Sequence, residues 1–506
     1  MNMIQRYKIL FCGMLLIAFS GCAKLVDIDP PTKVITAEEV FNNPATINSA
    51  LAGLYSYLMT NNGAQIFSNG SLTLYGGLAA DELVNRNGAT DTYDYQFYTN
   101  TVDYTNGLPF SVIWQPAYKA IYTANAIIEG VGNATSPAVT QQVRRQAIAE
   151  AKFVRAFSYF YLVNYFGDLP LALTTDFNVT TVLERSPVDV IYQQILADLE
   201  DAAADLTGDY SFSGGERVLP NKWAATALLA RVHLYLGHWQ EAENASAKVI
   251  GNALYSLASE PDSVFLKNST EAIWQLQQSE DNATVLPRSA TWDGINLSPF
   301  LRYSEANPVF QSLIKDISFF NAIVSVYTPD YYLTSSLVSA FETGDKRKTQ
   351  WLDSIPTPND EPYNGETIYF AYKYKYGMNE RSEPLTQYYM VLRLAEQYLI
   401  RAEARAELDN TTGAADDINM IRNRAGLDDI TVSSKEDILA AVAHERRIEL
   451  FAEFGHRWLD LKRTGKSADV LGSLDYKKPW ESTQLLLPVP QEEISDNPRL
   501  TQNPGY

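Results

Sequence analysis

Cysteine is nearly absent: the 506 residues contain two, Cys12 and Cys22. A chain this long can bury a large core, and with so few thiols it must hold together without a disulfide framework. Histidine is also scarce. His233, His238, His444 and His456 form no His-x-x-x-His pair and have no cysteine partners, which excludes the usual transition-metal spacings. After the N-terminus, no apolar run reaches the roughly 20 residues that a spanning helix needs. Positive charge is short as well, with 40 Lys and Arg against 60 Asp and Glu and a net charge of −20. Such a surface argues against nucleic acid and polyanionic ligands and says little about neutral ones. Catalytic signatures are missing too. There is no Gly-x-Ser-x-Gly elbow, and Gly465-Lys466-Ser467 imitates the end of a phosphate loop with Asp460 where the first glycine belongs.

Arg6 and Lys8 precede an apolar run from Ile9 to Phe19, and Ser20-Gly21-Cys22 follows it. This is the n-region and h-region of a secretory signal. Ala18-Phe19-Ser20 fits an ordinary small-x-small cleavage site. Small residues just before Cys22 also resemble a lipobox, with Phe19 in place of the usual leucine. The lipobox reading accounts for a cysteine that is otherwise unexplained. It predicts that residues 1–21 are a signal peptide and that Cys22 is lipidated, with several acyl chains giving a stable anchor.

Most of the remaining chain has helical periodicity. Between Gln142 and Gly167, Phe153, Phe157, Tyr161 and Tyr165 recur every fourth residue, and Gly167 with Pro170 marks the stop. Ser186-Pro187 predicts the next helix start, as a cap and a first-turn proline. Two segments, Asn221–Ile250 and Arg393–Gly426, repeat each other as helix, turn, helix. In each, a small residue lies twelve positions before an alanine: Ala230 with Ala242, and Ala402 with Ala414. That is the spacing of a tetratricopeptide hairpin, where two helices approach too closely for more than a methyl group. The expected fold is mainly α: a single domain over 22–506, with helical scaffold at about 22–60, 110–255 and 388–470. Loop-rich regions are expected at about 61–109 and 256–387, and an extended tail at 484–506. Within the second loop-rich region, Tyr369–Tyr376 alternates like a strand, with Phe370, Tyr372, Tyr374 and Tyr376 on one side.

Glu445, Glu449 and Glu453 are spaced for one helix face, a repulsive arrangement that needs cations. Arg446, Arg447, Arg457, Arg401 and Arg405 are the sequence candidates to supply them. A glycosidase would set two carboxylates across a cleft about 5 to 10 Å apart, so one helix face favours a structural ion-pair network. Binding a sugar needs flat rings for its C–H faces and planar polar groups for neighbouring hydroxyls. The stretch Asp81–Tyr98 offers both, with Asp81, Asn85 and Arg86 as polar candidates and Tyr93, Tyr95, Phe97 and Tyr98 as rings. Trp292 is the best stacking candidate in the second loop-rich region, with Tyr331 and Tyr332 behind it. Trp114, Tyr118 and Asn125 continue into a helical pattern and belong to the scaffold.

LVDIDPPT after Cys22, AEAKFVRAFSYFYLVNYFGDLPL at Ala149–Leu171, YMVLRLAEQYLIRAEARAEL, INMIRNRAGL, ERRIELFAEFGHRWLDLKRTG and the ending LLLPVPQEEISDNPRLTQNPGY run in one order along the chain. Together they resemble the SusD/RagB family of outer-membrane nutrient-binding lipoproteins. The resemblance implies a helical protein on tetratricopeptide-like hairpins, lipid-anchored on the outer membrane and facing the exterior of a Gram-negative cell. It implies a SusC-like TonB-dependent transporter as partner, an oligosaccharide or a peptide as ligand, no catalysis and no cofactor, and it leaves open a structural calcium ion. Three classes of function remain at this point: a glycan-binding lid, a peptide-binding lid, and a scaffold with no small ligand.

Overall fold

The computed structural model describes residues 36–60, 64–278, 290–377, 384–431 and 434–506. The expected signal peptide and Cys22 lie outside them. Among the described residues the scaffold is formed by α1 (Pro44–Thr60), α2 (Gln115–Gly132), α3 (Gln141–Phe166), α4 (Val188–Asp205), α5 (Lys222–Tyr235), α6 (Trp239–Ile250), α7 (Leu394–Glu407), α8 (Thr411–Arg424), α9 (Lys435–Glu449) and α10 (His456–Arg463). From α2 to α8 each packs on the next, and α6 packs directly on α7 although residues 251–393 separate them. The helical stack is therefore continuous in space and interrupted in sequence.

The stripe on α3 is buried as its periodicity demands, with Phe153, Phe157, Tyr161 and Tyr165 at 0 to 2% exposure. Phe157 meets Tyr161 and Trp274 edge to face at 5.0 and 5.3 Å. Each such ring contributes roughly 1.5 to 3 kcal/mol through burial. The helix stops at Gly167, whose φ of +75° suits a residue without a Cβ. In the hairpins, Ala230 and Ala242 are buried together with Leu234 and Ile400, and Ala402 and Ala414 with Ile418 and Ile438. The twelve-residue spacing reports the helix contact itself. One boundary differs from expectation: Pro187 is the cap of α4, and Ser186 belongs to a short strand pair with Leu169–Pro170.

The regions expected to be loop-rich carry more local structure than composition suggests. Residues 64–109 include helices Leu72–Ala79 and Thr92–Thr99, so the tyrosine-rich stretch read as loop is helical. Besides the short pair at Leu169–Pro170 and Arg185–Ser186, the strands among the described residues are β1 (Leu83–Asn85), β2 (Ala272–Leu276), β3 (Tyr331–Leu333), β4 (Leu352–Pro356), β5 (Thr367–Ala371) and β6 (Tyr389–Arg393), paired antiparallel as β1 with β3, β2 with β6 and β4 with β5. The predicted strand at 369–376 stops at Ala371. Beyond it Lys373 and Tyr374 are both buried, so alternation fails. Phe370 joins Ile314, Phe320, Tyr327 and Ile355 in a small separate core. The tail carries a helix, Gln491–Asp496, and is tied back where Leu487 N–H donates to Tyr165 O at 2.8 Å and Asn503 Nδ2 donates to Phe166 O at 2.9 Å.

The acidic set is satisfied by different cations from those expected. The α9 helix ends at Glu449, so Glu453 lies past it in a turn. Glu449 meets Arg393 and Arg424 at 2.5 Å each and Arg347 at 2.9 Å. Glu453 takes Arg393 at 2.8 Å and Lys373 at 2.5 Å, and Glu445 pairs with Arg347. Arg446 instead holds Asp460, Arg447 and Arg457 hold Asp81, and Arg401 and Arg405 hold Asp417. Neighbours in sequence were the natural choice, but on a helix they point to other faces. Burial alone would push the Glu449 carboxyl up; the guanidiniums of Arg424, Arg393 and Arg347 overturn this and hold it well below the usual range. Glu449→Gln leaves three buried guanidiniums short of one charge and is expected to cost about 3 to 5 kcal/mol, read as a lower urea midpoint with an unchanged slope.

Candidate functional site

The two loop-rich regions meet where β1 pairs with β3 in the register Leu83↔Leu333, Val84↔Tyr332 and Asn85↔Tyr331. Arg86 extends the pairing, its N–H donating to Asp330 O at 2.9 Å and its guanidinium pairing with the Asp330 carboxylate. Helix Thr92–Thr99 packs beside β1 and ends at Asn100 in the left-handed region, φ 56°. Tyr95 and Tyr98 are one turn apart on it, with ring centroids 6.0 Å apart. Tyr98 stacks on Tyr476 from the C-terminal region, 4.3 Å between centroids and 3° between planes. Tyr332 lies on β3 opposite Val84 of β1, the strand beside that helix. All four tyrosines are half-buried. Tyr95, Tyr98 and Tyr476 form a shelf of rings, beside the strand pair that carries Tyr332 and the Arg86–Asp330 pair.

The shelf is held from beneath. Lys477 is buried, and its ammonium donates to Leu78 O, Ala79 O, Tyr98 O and Asn100 Oδ1 at 2.6 to 3.0 Å. Its cation sits at the C-terminal, negative end of helix Thr92–Thr99 and lies within 6 Å of the Tyr98 and Tyr476 ring centroids. Asp94, also buried, accepts the Tyr331 hydroxyl. Burial pushes the Tyr98 phenol up to about 12, so it stays protonated and can both donate to and accept from a sugar hydroxyl.

The structure distributes the sequence candidates unevenly. Tyr95 is part of the shelf, Arg86 lies beside it at the end of β1, Tyr331 lies beneath with its hydroxyl on Asp94, and Tyr93 lies on the same short helix as Tyr95, 54% exposed. Asp81 is spent inside: Arg457 takes both its oxygens at 2.7 and 3.1 Å and Arg447 adds a bond at 2.8 Å. Burial works against that charge, but the two guanidiniums win and lower its pKa. Asn85 is buried, its side-chain oxygen accepting the N–H of Asn87 at 2.8 Å. Trp292 opens helix Trp292–Leu297 and packs against the main core. A Cβ on Gly70 would stand 2.7 Å from the Trp292 Cβ, so the two backbones approach closely, while the ring itself is half-buried. Trp114 and Asn125 are buried as scaffold, and the Tyr118 hydroxyl donates to Pro170 O. Tyr476 and Lys477 were missed because they lie far along the chain and match no local pattern; the Tyr-Lys pair in LDYKKPW was the only trace. Among the described residues no group of three or more His, Cys, Asp or Glu is arranged to hold a metal ion, and no helix is long and apolar enough to cross a membrane.

A stack of helical hairpins with a loop-borne shelf of rings has the form of a solute-binding protein. Two family models match the chain, one described as "SusD family" over residues 282–506 and one described as "Starch-binding associating with outer membrane" over residues 26–234. The chain belongs to the SusD family. It is 29% identical to SusD-like protein P2 of Formosa agariphila, covering 99% of this chain and 100% of that one. A solved "Laminarin binding SusD-like protein" matches with a TM-score of 0.73 at 24% identity, over 92% of this chain and 100% of that one. Surface glycan-binding protein A from Bacteroides fluxus matches with a TM-score of 0.71 at 24% identity, over 91% and 99%. The family is one of carbohydrate-binding proteins, and the mainly helical fold is common to all of these.

Asp94 links shelf geometry to pH. Burial raises its pKa from 3.8 to about 6, against the bond from Tyr331 and with help from the Asp91 charge. Because the folded value lies above the unfolded one, the contribution of Asp94 is fully present below about pH 3.8 and is lost as pH rises through about 6. Asp94→Asn should remove a component on the order of 3 kcal/mol from the pH dependence of stability across that window, measured as unfolding midpoints from pH 4 to 7.

Proposed function

We propose that this protein is a lipid-anchored surface protein that holds a neutral oligosaccharide on the tyrosine shelf and caps a SusC-like TonB-dependent transporter for uptake. The observation that carries the reading is the shelf itself, in which Tyr95, Tyr98 and Tyr476 gather from two distant parts of the chain beside the strand pair that carries Tyr332. One tilted and one face-to-face pair of rings, each ring partly open, offer successive platforms for the C–H faces of a chain of sugars. Arg86 and Asp330 supply planar groups for hydroxyls at the border. Relatives named for laminarin, glycan and starch binding support the ligand class. Cys22 would supply the anchor on the outer face of the outer membrane, and the protein would act by binding and release without catalysis. Two variants test the ligand and one the anchor. Tyr95→Ala should melt as wild type does and bind the cognate glycan about five- to thirty-fold more weakly in calorimetric titration, since a stacked ring adds about 0.5 to 1.5 kcal/mol beyond apolar burial. Trp292→Ala should instead lower the thermal midpoint, by several kcal/mol of lost packing at most. Unchanged glycan affinity in both Tyr95→Ala and Tyr98→Ala moves the site elsewhere, and binding of peptides alone replaces the ligand class. Cys22→Ser should shift the protein from the membrane to the soluble fraction in cells lacking the transporter; equal membrane retention refutes the anchor.

A further inference from the structure

The turn between α5 and α6 does what the spacing of the histidines in sequence does not suggest. Gly237 takes φ +69°, and His238 N–H donates back to His233 O at 2.9 Å, closing a tight loop. This brings His238, the cap residue of α6, over the last turn of α5, where His233 sits. The two Nδ1 atoms are 3.4 Å apart, with ring centroids at 5.6 Å and planes 41° apart. That separation is long for a good N–H···N hydrogen bond, whose heavy atoms usually stand about 3 Å apart. It matches another geometry closely. Two imidazole nitrogens bound at about 2.0 to 2.1 Å to one tetrahedral zinc ion stand about 3.3 to 3.4 Å from each other.

We propose that His233 and His238 form a transition-metal site at the turn of the first helical hairpin, taking Zn²⁺ through their two Nδ1 atoms. The remaining positions fall to water or an outside ligand, since among the described residues no third metal-binding side chain joins the pair. His233, though not His238, also lines a cavity of about 420 Å³, and His238 is exposed to solvent. Both Nδ1 atoms must be unprotonated, with the proton of each ring on Nε2. The bound ion would cross-link the end of one helix to the start of the next and stiffen the hairpin.

The probes are ZnCl₂ and CuCl₂ added to the mature protein. Calorimetry with Zn²⁺ should show one saturable site of roughly micromolar affinity, weakened at least about tenfold at pH 5.5, where protons compete for the ligands. His238→Ala, at an exposed residue, and His233→Gln should each weaken it by at least about tenfold, with circular dichroism unchanged. Electron paramagnetic resonance of the Cu²⁺ form should show coupling to two nitrogens in the wild type and not in His238→Ala. Failure of His233→Gln to fold leaves His238→Ala to decide. Absence of saturable Zn²⁺ binding up to about 1 mM overturns the proposal, as does an affinity that His238→Ala leaves unchanged, which would place the ion elsewhere, for example near His444.

Discussion

Glu449 is the point through which the rest of the fold is fastened. Its carboxylate, fully buried at the end of α9, is shared by Arg347 from the insertion, Arg393 from the end of β6 and Arg424 from the end of α8. Three segments that are far apart in sequence therefore meet on one charge. Removing any partner strands buried charge, which is far more costly than the net worth of the intact cluster. The consequence is cooperative: the helical stack cannot bury α9 without also docking the insertion, and the insertion cannot dock without the arginines. Lys373 adds a second clasp, donating to Glu449 O and Phe451 O and pairing with Glu453. Trp351 and Phe451 lie over its ammonium, so a charge that would be expensive alone is solvated by carbonyls and ring faces.

From this cluster the constraint passes to the shelf in short steps. The same C-terminal region that carries Glu449 and Glu453 carries Arg447 and Arg457, which hold Asp81. Asp81 leads by two residues into β1, β1 sets the register of β3, and β3 presents Tyr331 and Tyr332. Lys477 arrives from the opposite direction and ties Tyr98 and Asn100 to the helix at 72–79 through its four acceptors. The rings are thus carried by short elements that have little stability of their own, each anchored by a buried ion. A site on loops gains precision when its supports are ionic and buried, because a few hydrogen bonds of fixed direction replace a broad apolar contact.

Period and punctuation made the scaffold legible in the sequence. The four-residue stripe on α3, the glycine at its end and the twelve-residue spacing of Ala230 and Ala242 each reflect a local rule of helix geometry, and each lies where it should. The errors arose where partners come from far away. The carboxylates at 445, 449 and 453 are visibly a charge problem, but Arg347 and Arg393 solve it from 102 and 56 residues away respectively, and no local pattern points to them. Likewise Tyr95 and Arg86 were legible as binding chemistry, while Tyr476 was not. Trp292 packs its half-buried ring against the main core, with a close backbone approach at Gly70 that no sequence pattern announces. His233 and His238 escaped for the same reason on a smaller scale, since their meeting depends on a turn conformation and not on helical spacing.

The geometry of the shelf also bears on how such a protein would work. The half-buried rings of Tyr95, Tyr98 and Tyr476 offer shallow, partly open faces, each adding about 0.5 to 1.5 kcal/mol beyond burial. Even summed, such terms must first offset the entropy of fixing a flexible chain of sugars, so the surplus falls in the range of modest affinity. Modest affinity means fast release, because differences among related complexes reside mostly in the off-rate. A protein that stored or sequestered its ligand would gain from an enclosed pocket. For the proposed lid an open shelf is the better match, since the ligand must leave for the transporter each time the lid closes over it. On the proposed reading, the rigidity supplied by Lys477, Asp94 and the Asp81 pairs would serve selection: it fixes the spacing of the rings, and a glycan whose successive faces match that spacing would bind without reshaping the protein.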